Sequence, residues 1–126
     1  MKLAIVSIPV SDQDKAKAFY VEQLGFSVLF DDPMGPDSRW VMLAPPGGGP
    51  AVTLVTWFPT MPPGSVKGLV YAVDDLETVR AELLGKGVAV GDIENTPWGF
   101  RLAQLDDLDG NGIVLQQGSP PAPEDN

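Results

Sequence analysis

Ile8-Pro9-Val10-Ser11-Asp12 recurs in kind as Tyr71-Ala72-Val73-Asp74-Asp75, with Val10 and Val73 63 positions apart. Each passage leads into a helix-like segment, a Gly-containing turn and a short apolar strand. That turn and strand read Leu24-Gly25-Phe26-Ser27-Val28 in the first case and Lys86-Gly87-Val88-Ala89-Val90 in the second. Val52-Thr53-Leu54 likewise echoes Ile113-Val114-Leu115 at an offset of 61. A period of half the chain means two copies of one supersecondary unit, each needing the other to bury its apolar face.

Working outward from these repeats, residues 2–10 alternate as a half-buried strand does. Ser11 or Asp12 is placed to cap a helix over 13–24, whose apolar positions Ala16, Phe19, Tyr20 and Leu24 recur every three or four residues. Gly25 is suited to end that helix in the left-handed conformation. Strands are expected over 26–30, 39–44 and 51–57, and Pro59 to Ser65 reads as a hinge. The second half repeats the plan: a strand over 67–73, a helix over 76–84 begun by Asp74 or Asp75, and strands over 88–93, 100–105 and 112–117. The expected architecture is α+β, a single domain over 1–126 built from two βαβββ modules. The first module covers 1–58 and the second 67–117, joined by the hinge 59–66. The Pro-rich acidic tail 118–126 is expected to be disordered.

The 126 residues suffice for a real core, and the 44% apolar fraction is ordinary for a globular protein. The absence of Cys excludes disulfides and thiolate chemistry and fits a cytoplasmic location. The absence of His removes the commonest metal ligand and the usual proton shuttle near neutrality. A net charge of −9 argues against nucleic acid as a partner, because such binding depends on neutralising phosphates. No stretch reads as a signal peptide or a membrane span, so a membrane partner is not expected either. The acidity serves solubility, or it attracts a cationic ligand.

Four stretches, in order and at the right spacings, resemble the vicinal oxygen chelate superfamily, the glyoxalase/bleomycin resistance protein/dioxygenase group. They are the opening strand into Val10-Ser11-Asp12, Ala18-Phe19-Tyr20 with Leu24-Gly25-Phe26, Val73-Asp74-Asp75, and Asp107-Leu108-Asp109-Gly110-Asn111-Gly112 running into Ile113-Val114-Leu115-Gln116. The resemblance implies two βαβββ modules whose mixed sheet curls into a cup. In metal-dependent relatives, four inward side chains hold a divalent ion.

Carried onto this chain, those four positions fall at Ile5, Thr53, Gly68 and Val114. One hydroxyl, two hydrocarbons and a bare backbone cannot replace the imidazole and carboxylate donors such an ion needs. No metal and no cofactor are therefore expected, and the resemblance narrows to the metal-free, bleomycin-resistance-like branch.

Period-two alternation then phases the strands. Ile5, Ser7, Pro9, Thr53, Val55, Trp57, Gly68, Val70, Ala72, Val114 and Gln116 should line the cup. Val6, Ile8, Val10, Leu54, Leu69, Tyr71, Val73, Ile113 and Leu115 should pack under the helices. Trp57 and Trp98 are read either as an aromatic clamp or as packing, with packing favoured for Trp40. Arg101 either binds a ligand carboxylate or, as favoured here, pairs with an acid such as Glu94.

Asp107 to Gly112 imitates the start of a calcium loop but lacks its closing Glu, since position 118 is glycine; a tight turn is expected. Gly47-Gly48-Gly49 fits no phosphate-binding pattern. Pro9 marks a strand edge, a bulge, or the strand exchange within a dimer that bleomycin-binding relatives show.

No catalytic residue is assigned. The expectation is a homodimeric binder of a small organic molecule, a cationic or aromatic antibiotic or metabolite. Its ligand-binding residues are Ser7, Thr53, Val55, Trp57, Val70, Trp98, Arg101, Val114 and Gln116. The alternative is a small-molecule enzyme of the same superfamily, of lyase, isomerase or dioxygenase type, with an unconventional metal site or carboxylate catalysis. A third reading is a regulatory or accessory domain without a ligand of its own.

Overall fold

Two aspartates start the two helices, as the capping pattern predicts. Asp12, in extended conformation, accepts from the Lys15 amide at 3.0 Å and opens α1 (Gln13–Ala18). Asp75 accepts from the Thr78 amide at 3.1 Å and from its hydroxyl at 2.8 Å, opening α2 (Leu76–Gly85). These elements come from a computed structural model that describes residues 1–36 and 38–118. The expected disorder beyond Gly118 lies outside the described residues.

α1 runs on as a π turn over Phe19–Gln23, where the Leu24 amide reaches back five residues to the Phe19 carbonyl at 3.2 Å. Gly25 then takes φ +81°, the left-handed stop expected there.

Among the described residues eight strands flank the helices: β1 (Ile5–Pro9), β2 (Ser27–Pro33), β3 (Arg39–Ala44), β4 (Ala51–Val55), β5 (Leu69–Val73), β6 (Glu94–Asn95), β7 (Arg101–Asp106) and β8 (Gly112–Gln117). They form two four-stranded sheets, ordered β1-β4-β3-β2 and β5-β8-β7-β6. In each sheet the first and last strands of a module pair in parallel, β1 with β4 and β5 with β8. The repeat seen in the sequence is thus a repeat of topology, and the fold is the α+β pair of βαβββ modules.

Several boundaries differ from expectation. β4 stops at Val55, leaving Trp57 beyond the ladder. β2 runs on to Pro33 and carries a bulge between Val28 and Phe30, which makes room for Leu29. Gly68 stands outside β5 at φ +76°, a conformation no ladder residue adopts. The strand expected over 88–93 is the largest miss. Val88 and Val90 are buried, but the only sheet pairing in this region is the two-residue β6. Burial alone produced the apolar alternation there, without a ladder.

The chain divides into two compact units. Among the described residues one comprises Met1–Lys67 together with Asp106–Gly112; the other comprises Gly68–Leu105 and 113–118. The first buries Ile8, Ala16, Phe19, Tyr20, Val41, Leu43 and Leu54, with α1 seated on β3 and β4. Tyr20 sits edge-on to Phe19 and Phe26, with centroids 5.6 and 5.2 Å away. The second buries Leu76, Leu83, Ala103, Leu105, Ile113 and Leu115. No helix among the described residues is long and apolar enough to cross a membrane.

Candidate functional site

Strand register fixes which side chains share a face. In the first sheet Ser7 pairs with Thr53, Thr53 with Met42, and Met42 with Phe30, so these four form one row across β1, β4, β3 and β2. Two residues along, Pro9 pairs with Val55 and Trp40 with Asp32 on the same face. The opposite face carries Ile8, Leu54, Val41 and Leu43, all buried, with α1 packed against β3 and β4. The phase read from the sequence is therefore right for β1 and β4. It omitted the contributions of β2 and β3, because only register tells which residues of those strands stand beside Thr53.

The row face is apolar and partly open. Phe30 is 54% exposed and Ile5 41%, while Met42, Trp40, Trp57 and Ser7 are half-buried. Thr53 and Val55 are buried. The Ser7 and Thr53 hydroxyls lie 3.3 Å apart. Trp40 and Trp57 stack at 6.3 Å between centroids and 25° between planes, with Phe58 tilted against Trp57 at 6.1 Å. Trp40, for which packing was favoured, packs its indole on that of Trp57.

On the second sheet, Val70 pairs with Val114 and Ala72 with Gln116, again on one face. Val70 is 55% exposed, and Val114 and Gln116 are half-buried. Arg101 does not belong with them. It shares its phase with buried Ala103 and Leu105, and its guanidinium donates to Glu77 of α2 at 2.8 Å. It pairs with an acid as favoured, but the acid is Glu77 and not Glu94, and the pair stands on the helix side of the sheet. Trp98 sits at a turn closed by Thr96, whose amide and hydroxyl both reach the Phe100 carbonyl, at 2.8 and 3.0 Å. Its indole is 78% exposed.

The densest charge cluster in the first unit lies away from the row face. Arg39 grips Asp31 with two bonds of 2.9 and 3.0 Å and also donates to Asp14, while Lys17 reaches Asp31 at 2.5 Å. The Arg39 and Lys17 bonds hold the Asp31 carboxyl below its ordinary range, and the two carboxylates push the Arg39 guanidinium up. An open depression of about 590 Å³ adjoins this cluster, lined among others by Asp12, Gln13, Asp14, Ser38, Arg39 and Thr56. None of the residues predicted from sequence lines it.

A divalent ion does not fit the four positions where metal-dependent relatives hold one. Ile5, Thr53, Gly68 and Val114 offer a single neutral oxygen donor among their side chains, and that hydroxyl is paired with Ser7. Among the described residues no three acidic, His or Cys groups gather where they could hold an ion.

Fold, register and sequence agree with a family model. Residues 2–115 match the Glyoxalase/Bleomycin resistance protein/Dioxygenase superfamily, and the chain belongs to it. Among solved structures, TnmS3, an antibiotic binding protein from Streptomyces sp. CB03234, is 50% identical with a TM-score of 0.86, covering 94% of this chain and 97% of its own. A glyoxalase/bleomycin resistance protein from the same strain is 53% identical with a TM-score of 0.81, covering 90% of this chain and 98% of its own. The uncharacterised protein YetH of Bacillus subtilis (strain 168) is 32% identical over 92% of this chain and 98% of its own.

Proposed function

We propose that this chain is a metal-independent binding protein that sequesters a small aromatic antibiotic or metabolite. The Trp40–Trp57 stack, on a partly open sheet face that is mainly apolar, carries the reading. Two indoles held nearly parallel present a flat, polarisable surface suited to a planar ring system. Similarity at 50% identity to an antibiotic binding protein supports the same class of ligand. Trp57, Trp40, Met42 and Phe30 are the leading contacts, with Ser7 as a polar one. In the second unit, considered by itself, Val70, Val114, Gln116 and Trp98 are proposed as ligand contacts on the sheet and its β6–β7 turn. Arg101, committed to Glu77, is set aside.

The net charge of −9 favours a cationic ligand, an attraction that physiological salt largely screens. A cytoplasmic homodimer is part of the same proposal. The test is a thermal-shift screen against aromatic and cationic antibiotics, with divalent metals and EDTA in parallel. A saturable rise with an organic compound, unaffected by EDTA, supports sequestration. A rise with a metal, reversed by EDTA, overturns it.

A further inference from the structure

The row face has one polar feature on β1, β3 and β4 apart from the indole of Trp40. It is the hydroxyl pair Ser7–Thr53, 3.3 Å apart and in direct register. Burial sets the direction of this bond. Thr53 is 0% exposed, and among the described residues Ser7 supplies the one partner of its hydroxyl. If Ser7 donated, the Thr53 hydrogen would be buried with no acceptor, at the full cost of its desolvation. Thr53 therefore donates to Ser7.

The hydroxyl hydrogen of half-buried Ser7 is then left to point outward, and accepting the Thr53 bond polarises it into a stronger donor. Among the described residues no other protein acceptor engages it. A donor with an unspent hydrogen on an apolar face selects for an acceptor oxygen on whatever occupies that face.

We infer that Ser7, oriented by Thr53, is a specificity-determining donor that selects planar aromatic ligands bearing a carbonyl oxygen. Ketones, quinones and aryl lactones are the chemical class. The inference rests on the aromatic-binding reading and deepens it. Ser7 and Trp40 are separated by two strand spacings across the sheet, about 10 Å, and by two residues along it, about 7 Å. A fused ring system can rest on the Trp platform while its carbonyl reaches Ser7. Thr53 acts through Ser7 and is a positioning residue.

The test compares fluorenone with fluorene, planar molecules that differ by one carbonyl oxygen, using equilibrium dialysis against the full chain. The expected result is about fivefold tighter binding of fluorenone by the wild type, the worth of one net hydrogen bond. Ser7→Ala should abolish that preference, while Ser7→Thr, which keeps the hydroxyl, should retain it. Trp57→Ala should weaken both compounds alike. Equal affinity for the two compounds, or a preference that survives Ser7→Ala, overturns the donor and leaves the aromatic-binding reading standing. Binding of neither compound overturns both.

Discussion

The Tyr20 hydroxyl donates to Oδ2 of Asp107 at 2.7 Å across 87 positions of sequence. Asp107 also accepts from the Asn111 amide at 2.9 Å, the Asn111 side chain at 2.8 Å and the Asp109 amide at 3.0 Å. Asn111 spends its second side-chain hydrogen on the Pro9 carbonyl at 2.8 Å. The segment that resembled half of a calcium loop is thus a turn clasped to α1 and β1. Its carboxylate is satisfied by four donors rather than by an ion.

Asp107→Ala strands the buried Tyr20 and Asn111 donors, and should cost about 3 kcal/mol in urea denaturation. Tyr20→Phe removes one bond and should cost about 1–2 kcal/mol. The double variant should cost less than the sum of the two, because the pair shares a bond. Additive losses would dissolve the clasp.

Acid should weaken the first unit through Asp31. Arg39 and Lys17 hold its folded pKa below the ordinary 3.8, and Thr78 does the same for Asp75 in the second unit. A depressed folded pKa stabilises above the ordinary value, and that contribution is lost as pH falls through the ordinary range toward the depressed one. The urea midpoint should therefore fall between pH 7 and pH 3. In Asp31→Asn the midpoint should start lower at pH 7 and fall less. An equal fall in both proteins would remove Asp31 from the explanation.

Gly64 sits at φ +81°, and a Cβ built there meets the Asp109 carbonyl oxygen at 2.2 Å. Gly64→Ala should destabilise by about 2 kcal/mol or more, from a strained backbone and a clash with main chain that cannot swing aside. A melt of the variant overlaying that of the wild type would show the loop to be yielding.

The Trp40–Trp57 stack should give an exciton couplet in far-ultraviolet circular dichroism. Trp40→Phe and Trp57→Phe should each abolish it, and Trp98→Phe should leave it intact. A couplet that persists in Trp57→Phe would separate the indoles in solution.

The sequence carried the local signals well. Of the two candidates read for each cap, Asp12 and Asp75 are the ones that cap; β3 and β8 have the expected limits, and Gly25 ends its helix as expected. What it could not supply was cross-strand register. Nothing in Arg39-Trp40-Val41-Met42 says which residue stands beside Thr53, so Met42, Phe30 and the partnership of Trp40 with Trp57 escaped notice. Arg101 was legible in principle, since its alternation with Ala103 and Leu105 places it on the helix side. Val88 and Val90 misled because burial and strand pairing leave the same apolar alternation behind.

The π turn at Phe19–Gln23 leaves a mark on how this chain tolerates shortening. A turn that closes over five residues holds one more than an α turn requires. Deleting the half-buried Val21 would let the turn relax to ordinary winding, with Gly25 and Phe26 still able to end the helix where they do now. The same deletion inside α2 has no slack to absorb it and would rotate Leu83 out of its buried position. The first helix thus carries a spare link, so natural length variation between the helices should gather there.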